Sequence, residues 1–301
     1  MNRFRRVARV RSLAAGLAML SLAACSAPPK PAADADQLSI VVAFYPLQYL
    51  AEQVGGASVN VTSLTSSNAE PHDLELSPAQ ISQIAEADLV VYIKGFQPAI
   101  DQAVEQVKPA SIIDAGAETL PTTEQATDYH YWLDPALYAH TAQQIGEALS
   151  QLQPDQASSF NNNTQTISQR LGDLQDRFAN QLAHCNNNVF VVTHPAFGFL
   201  AKRFNLQQLG IGGLDPDAEV SPVRLREITD QAKGLGVATV FYEAGEPADA
   251  AAAVAELAGA NWPVDALDSM ERGSIDGDYF SRMDQNLAAL SKALQCTTTP
   301  Q

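Results

Sequence analysis

The chain has 301 residues, 46% of them hydrophobic, and carries a formal net charge of −16. That length suffices for two packed domains. The acidic balance excludes nucleic acid as an electrostatically favoured partner; it is compatible with attracting cations, but is also an ordinary solubility device.

Residues 1–11 hold five arginines and no acid, and residues 12–24 form an apolar, small-residue run. That run is too short for a stable bilayer span and fits a secretion signal. It closes on Leu22-Ala23-Ala24-Cys25, the pattern of a bacterial lipoprotein signal. The expectation is a signal peptide over 1–24, lipidation of Cys25 and a Pro/Ala-rich tether over 25–37. Loss of the five arginines would take the net charge to −21. The mature chain would be exported and lipid-anchored at the cell envelope, on the outer face of the cytoplasmic membrane or in the periplasm. Cys185 and Cys296 then remain in an oxidising setting, where a disulfide is expected. It would pin the last helix to the start of the second half.

From residue 38, apolar β-rich runs alternate with helical patterns, the signature of an α/β fold with mainly parallel sheets. Strands are expected at 38–44, 58–64, 88–93 and 111–114, with helices at 47–54, 78–85 and 98–106. Residues 117–129 read as a surface loop. From 135 to 183 no strand candidate occurs. Gln153-Pro154-Asp155 breaks this region with a helix-start signal. Beyond it Ala157, Phe160, Thr164, Ile167, Leu171, Leu174, Phe178 and Leu182 recur at helical spacing, one amphipathic helix of about 40 Å at 1.5 Å per residue. Alternation then resumes, with strands at 188–193, 206–209, 237–242 and 263–267 and helices at 222–233, 247–257 and 279–294. The expected organisation is an N-terminal α/β domain over 38–154, a linking helix over 155–184 and a C-terminal α/β domain over 185–301. Trp132 and Trp262 read as core or interdomain packing.

Three histidines and one aspartate stand out as candidate metal ligands: His72, His130, His194 and Asp268. Ligands gather at the carboxyl ends of strands in an open parallel sheet, and His194 and Asp268 each directly follow an expected strand. His72 lies in the loop after the second strand, and His130 precedes the long helical region. Imidazole nitrogens and a carboxylate oxygen in tetrahedral array suit a borderline divalent metal. Two ligands would come from each half, placing the site in the interdomain cleft. Separations of 58, 64 and 74 residues form no local motif, so only the fold could assemble the site. His140 and His184 read as surface or packing residues. Glu70, Asp73 and Glu75 are either groups that orient an imidazole or solvated acids.

The ordered motifs resemble one family. They are Glu70-Pro71-His72-Asp73, His130-Tyr131-Trp132-Leu133-Asp134-Pro135 and Thr193-His194-Pro195-Ala196-Phe197-Gly198-Phe199, then Asp217-Ala218-Glu219-Val220-Ser221-Pro222, Leu267-Asp268-Ser269, and the run from Tyr279 to Leu287. Together they resemble the metal-binding lipoproteins of bacterial zinc and manganese ABC importers, the cluster A-I solute-binding proteins. The resemblance implies two (β/α) domains bridged by a rigid helix, with ligands falling on His72, His130, His194 and Asp268. It implies a monomer that passes its ion to the membrane subunit of an ABC permease. Three histidines point to Zn²⁺ as cargo, with Mn²⁺ or iron the alternative, since hard manganese favours carboxylate oxygen. The segment 117–127 lacks the histidines of the acidic loop in many zinc members, and Pro195 stands where many relatives carry an acid. A rigid helix implies local rather than hinge-like changes on release. Binding must compete with protons, so affinity should fall as the histidines protonate below about pH 6.5. The rival classes are a zinc hydrolase with Glu243 as base, and an adhesin.

Overall fold

The computed structural model describes residues 37–67, 69–120, 128–213, 220–237, 239–257, 262–273 and 277–297. The signal segment 1–24, Cys25 and the tether up to residue 36 lie outside the described residues, as does 121–127 of the expected surface loop.

Among the described residues, two four-stranded sheets organise the chain, and every strand pairing in both is parallel. The first has order β2-β1-β3-β4, from β1 (Leu38–Val42), β2 (Val59–Ser63), β3 (Leu89–Tyr92) and β4 (Ile112–Asp114). Helices α1 (Tyr45–Gly55), α2 (Pro78–Glu86) and α3 (Pro98–Val107) connect them. The second repeats the order as β6-β5-β7-β8, from β5 (Val189–Val192), β6 (Gln207–Gly210), β7 (Val240–Glu243) and β8 (Val264–Leu267). Its helices are α6 (Gly198–Arg203), α7 (Pro222–Gly234), α8 (Asp249–Leu257) and the closing α9 (Tyr279–Ala293). This is the expected α/β class with two parallel-sheet domains. Among the described residues, the α-helix not anticipated is α6, whose six residues are too few to carry a periodic signal.

Helix starts follow local chemistry. Ser77 and Gln80 form a capping box at α2, Asp134 caps α4 (Pro135–Leu152), and Asp278 caps α9. Each satisfies amide groups that a helix start leaves unpaired. The long helix α5 (Ala157–Leu182) buries Phe160, Ile167, Leu171, Leu174, Phe178 and Leu182. Helix α5 packs against α4 and α1 of the first half and α9 of the second, so it spans both halves.

The core is shared between the halves. Phe190, Val192, Phe241 and Leu267 of the second sheet join the same apolar cluster as Ile40, Val42 and Val91 of the first. Their strand neighbours Val189, Val191 and Val240 face a second, smaller cluster with Ile228 and Val254, as the two-residue alternation of a strand requires. Trp132 is 1% exposed in the shared core and donates its indole N–H to the Ser269 carbonyl at 2.7 Å. Trp262 is half-buried against the second cluster. Cys185 and Cys296 are joined by a disulfide that ties the segment after α5 to the segment after α9.

Candidate metal centre

Four loops bring their ligands together between the sheets. His72 comes from the loop between β2 and α2, and His130 from the residue before the 3-10 turn Tyr131–Leu133. His194 and Glu271 follow β5 and β8. The turn at Tyr131–Leu133 buries three consecutive large side chains and so drives the His130 ring inward, where it lies 5.1 Å from the Trp132 ring. One ligand atom from each of His72, His130, His194 and Glu271 lies within 4.8 Å of every other.

Glu271 is the hub. Its Oε1 lies 2.9 Å from His72 Nε2, 2.5 Å from His130 Nε2 and 3.6 Å from His194 Nε2, while the His130 and His194 Nε2 atoms are 3.2 Å apart. Ligands at 2.0–2.1 Å around a tetrahedral zinc stand about 3.3 Å from one another, a spacing that these distances bracket. Small movements would therefore convert a knot of hydrogen bonds into a coordination shell. His130 and Glu271 are 0% and 1% exposed and His194 is 4% exposed, whereas the His72 side chain is 19% exposed and meets solvent.

The electrostatics without metal are those of a buried ion pair. Burial opposes charge on His130, but the Glu271 carboxylate and the hydrogen bond to Asp128 outweigh it and raise the imidazole to about 10. Burial likewise opposes charge on Glu271, and His130 together with the other two imidazoles overcomes it and holds the carboxylate well below its ordinary range. Asp128 Oδ1 accepts from His130 Nδ1 at 2.8 Å and from the His130 backbone N–H at 3.0 Å. It thereby keeps the Nδ1 proton in place and leaves Nε2 for a metal. His194 has no such support: its buried Nδ1 has no hydrogen-bond partner among the described residues, and Pro195 follows it.

The His72 loop and the Glu271 loop are stitched together. Gly273 donates its N–H to Ser67 O at 3.1 Å, and a Cβ at 273 would come within 2.7 Å of Ser67 Cα, so the approach requires glycine. Arg272 reaches Glu70 at 3.4 Å and also Glu246. Glu70 Oε1 accepts the backbone N–H of His72 at 3.3 Å, so this acid orients the loop, whereas Asp73 and Glu75 are exposed.

Asp268, expected as the fourth ligand, stands elsewhere. Its two oxygens take Arg282 Nε at 2.6 Å and Nη2 at 2.7 Å, and Oδ1 also accepts the Met270 N–H. Both oxygens are turned to this guanidinium fork, and Asp268 is not among the residues whose ligand atoms converge. Glu271, three residues on, is the carboxylate of the cluster. The signal available for it was a second acid in the same strand-end loop. His140 pairs with Glu118 at 2.6 Å and His184 is exposed, both apart from the cluster.

Residues 40–293 match the family model of ZnuA, described as zinc-uptake complex component A, periplasmic. The chain belongs to the ZnuA family. Zinc-binding lipoprotein AdcA of Streptococcus pneumoniae (strain R6) is 30% identical over 306 residues, covering 94% of this chain and 60% of AdcA. The chain thus spans about 60% of the length of that relative. The high-affinity zinc uptake system protein ZnuA of Bacillus subtilis is 28% identical, with 91% and 94% covered. Among solved structures, the Zn(II)-bound ZnuA-like domain of S. pneumoniae AdcA matches with a TM-score of 0.76 at 30% identity, covering 86% of this chain and 99% of that one. The laminin-binding protein Lmb of Streptococcus agalactiae, described as a bifunctional protein with adhesin and metal transporting activity, matches at 0.78 and 29% identity, again with 86% and 99% covered. The ZnuA family is thus a family of zinc-uptake components, as the ordered motifs implied.

Proposed function

We propose that this chain is an extracytoplasmic receptor that captures Zn²⁺ through His72, His130, His194 and Glu271 and delivers it to the membrane permease of an ABC importer. The observation that carries the reading is the convergence of four ligand atoms from four separate loops within 4.8 Å. Three imidazoles and one carboxylate suit zinc better than manganese, which prefers oxygen. Lipid attachment at Cys25, a monomeric state, and the division into 38–154, 155–184 and 185–301 belong to the same proposal.

The reading assigns no enzyme activity. A catalytic zinc keeps an open position beside an ionised general base, whereas this cluster supplies four protein ligands. Glu243, the best candidate base, is 5% exposed; burial and the neighbouring Glu271 push its carboxyl well above the ordinary range despite its bond to Ser269.

Competitive titration of the metal-stripped protein with Zn²⁺ and Mn²⁺ tests the proposal. One tightly held zinc per chain is expected. Glu271→Ala should weaken it by more than the 10–100-fold typical of outer-shell partners, whereas Asp268→Ala should keep the stoichiometry and lower the melting temperature. Tight zinc surviving in a triple His72, His130 and His194 alanine variant would overturn the site.

A further inference from the structure

We propose that Ser269, backed by Glu243, is a positioning residue that makes the site select zinc over manganese, by restricting Glu271 to a single metal-facing oxygen. The inference rests on the cluster being the cargo site and concerns what shapes its selectivity beyond the identity of the ligands.

The two oxygens of Glu271 have different neighbours. Oε1 faces all three imidazoles, whereas Oε2 lies 3.3 Å from Ser269 Oγ. The same Oγ accepts the Glu271 backbone N–H at 3.3 Å and hydrogen-bonds Glu243 Oε1 on its far side. Ser269 is 2% exposed and Glu243 5%. A hydroxyl has one hydrogen and two lone pairs. Between two carboxyl groups it can satisfy both only if one of them brings a proton of its own. A neutral Glu243 donates to Oγ, Oγ donates to Glu271 Oε2, and the remaining lone pair takes the Glu271 N–H. The hydrogen and both lone pairs of Oγ are then paired, and Glu243 Oε2 is left without a hydrogen-bond partner among the described residues.

Ser269 is also unable to follow Glu271 if that side chain turns. Its carbonyl is held by the Trp132 indole at 2.7 Å, and Asp268, the residue before it, is held by Arg282 and by Asn286, which accepts the Asp268 N–H at 2.8 Å. With Oε2 committed to a fixed hydroxyl, Glu271 offers one oxygen. Three nitrogens and one oxygen complete a tetrahedral zinc shell. Manganese seeks an octahedral, oxygen-rich shell, and Oε2 is the further carboxylate oxygen that Glu271 withholds from it.

The test uses the full chain, purified in detergent and stripped of metal, with Zn²⁺, Mn²⁺ and Co²⁺ as probes. Ser269→Ala frees Oε2 and should improve manganese binding relative to zinc by about tenfold. The strong visible absorption of four-coordinate Co²⁺ should weaken as its coordination number rises. Ser269→Thr restores the hydroxyl and should restore both readouts, and Glu243→Ala should move both in the direction of Ser269→Ala by a smaller amount. An unchanged zinc-to-manganese ratio and an unchanged Co²⁺ spectrum in a folded Ser269→Ala protein would overturn the inference while leaving the zinc site standing. A uniform loss of all three metals would also overturn it, by reducing Ser269 to a packing role. Failure of the unaltered chain to bind zinc would instead overturn the cargo site, and the inference with it.

Discussion

Asp128 Oδ1 stands 2.8 Å from His130 Nδ1, which makes this carboxylate the orienting partner of the most deeply buried imidazole in the cluster. Outer-shell carboxylates of this kind fix ring orientation and raise ligand basicity, and their loss costs 10–100-fold in metal affinity. Asp128→Ala should weaken zinc by about that factor with the stoichiometry unchanged, as read by competition with a chelator of known affinity. Equal affinity in the variant would mean that the buried walls alone orient the His130 ring.

The pH dependence should extend well above the ordinary histidine range. His130 is raised from 6.5 to about 10 in the metal-free protein. Its charge therefore stabilises the metal-free fold in full below about pH 6.5, and that contribution is lost as pH rises through about 10. Glu271 is depressed, so its contribution is present above 4.5 and is lost as pH falls through its native value. Zinc must displace the His130 proton, so log K should keep climbing by about one unit per pH unit from pH 7 to 9. Calorimetry in buffers of different ionisation enthalpy at pH 7 should detect about one proton released per zinc. An affinity that levels off above pH 7, with no proton released, would contradict the buried ion pair. The threshold near pH 6.5 expected from free imidazole thus moves upward, because Glu271 and Asp128 flank the same ring.

The Cys185–Cys296 disulfide closes a loop of 111 residues. Bonds that close loops of this size contribute about 2–5 kcal/mol through the unfolded state. A Cys185→Ala, Cys296→Ala variant should lose about that much in denaturant unfolding, yet bind zinc within roughly twofold of the unaltered protein, since no ligand lies on the segments the bond joins. A large loss of zinc affinity would show that the pinned ends of α5 and α9 also set the geometry of the cleft.

Alternation and spacing made most of the fold legible. Apolar, β-rich runs identified the eight strands of the described residues within a few residues, several of them continuous rather than alternating because a parallel sheet is buried on both faces, and the stripe from Phe160 to Leu182 identified α5. Helix α6 was invisible because six residues make fewer than two turns. His72 and His194 could be read from loops that follow strands and His130 from the loop before the long helical region, because the chain has only five histidines. The carboxylate could not. Asp268 and Glu271 share one loop, and the choice between them is made by Arg282, which sits 14 residues beyond Asp268, 1% exposed on α9. Only the tertiary fold discloses that this guanidinium claims the first acid and leaves the second to the histidines. The role of Ser269 is hidden for the same reason, and Glu243 reads along the chain only as the base of a rival hydrolase, since a hydroxyl between two carboxyl groups has no signature there.

The four ligand loops are drawn from nearly the whole length of the described chain, with His72 close to its start and Glu271 in its last strand-end loop. A nascent or partly folded chain holds isolated imidazoles but no centre, because the carboxylate hub is the last of the four to be synthesised. Metal capture is therefore a property of the finished tertiary structure. A chain threaded across a membrane unfolded would arrive with no bound zinc, and would acquire its first ion only in the compartment where it completes its fold.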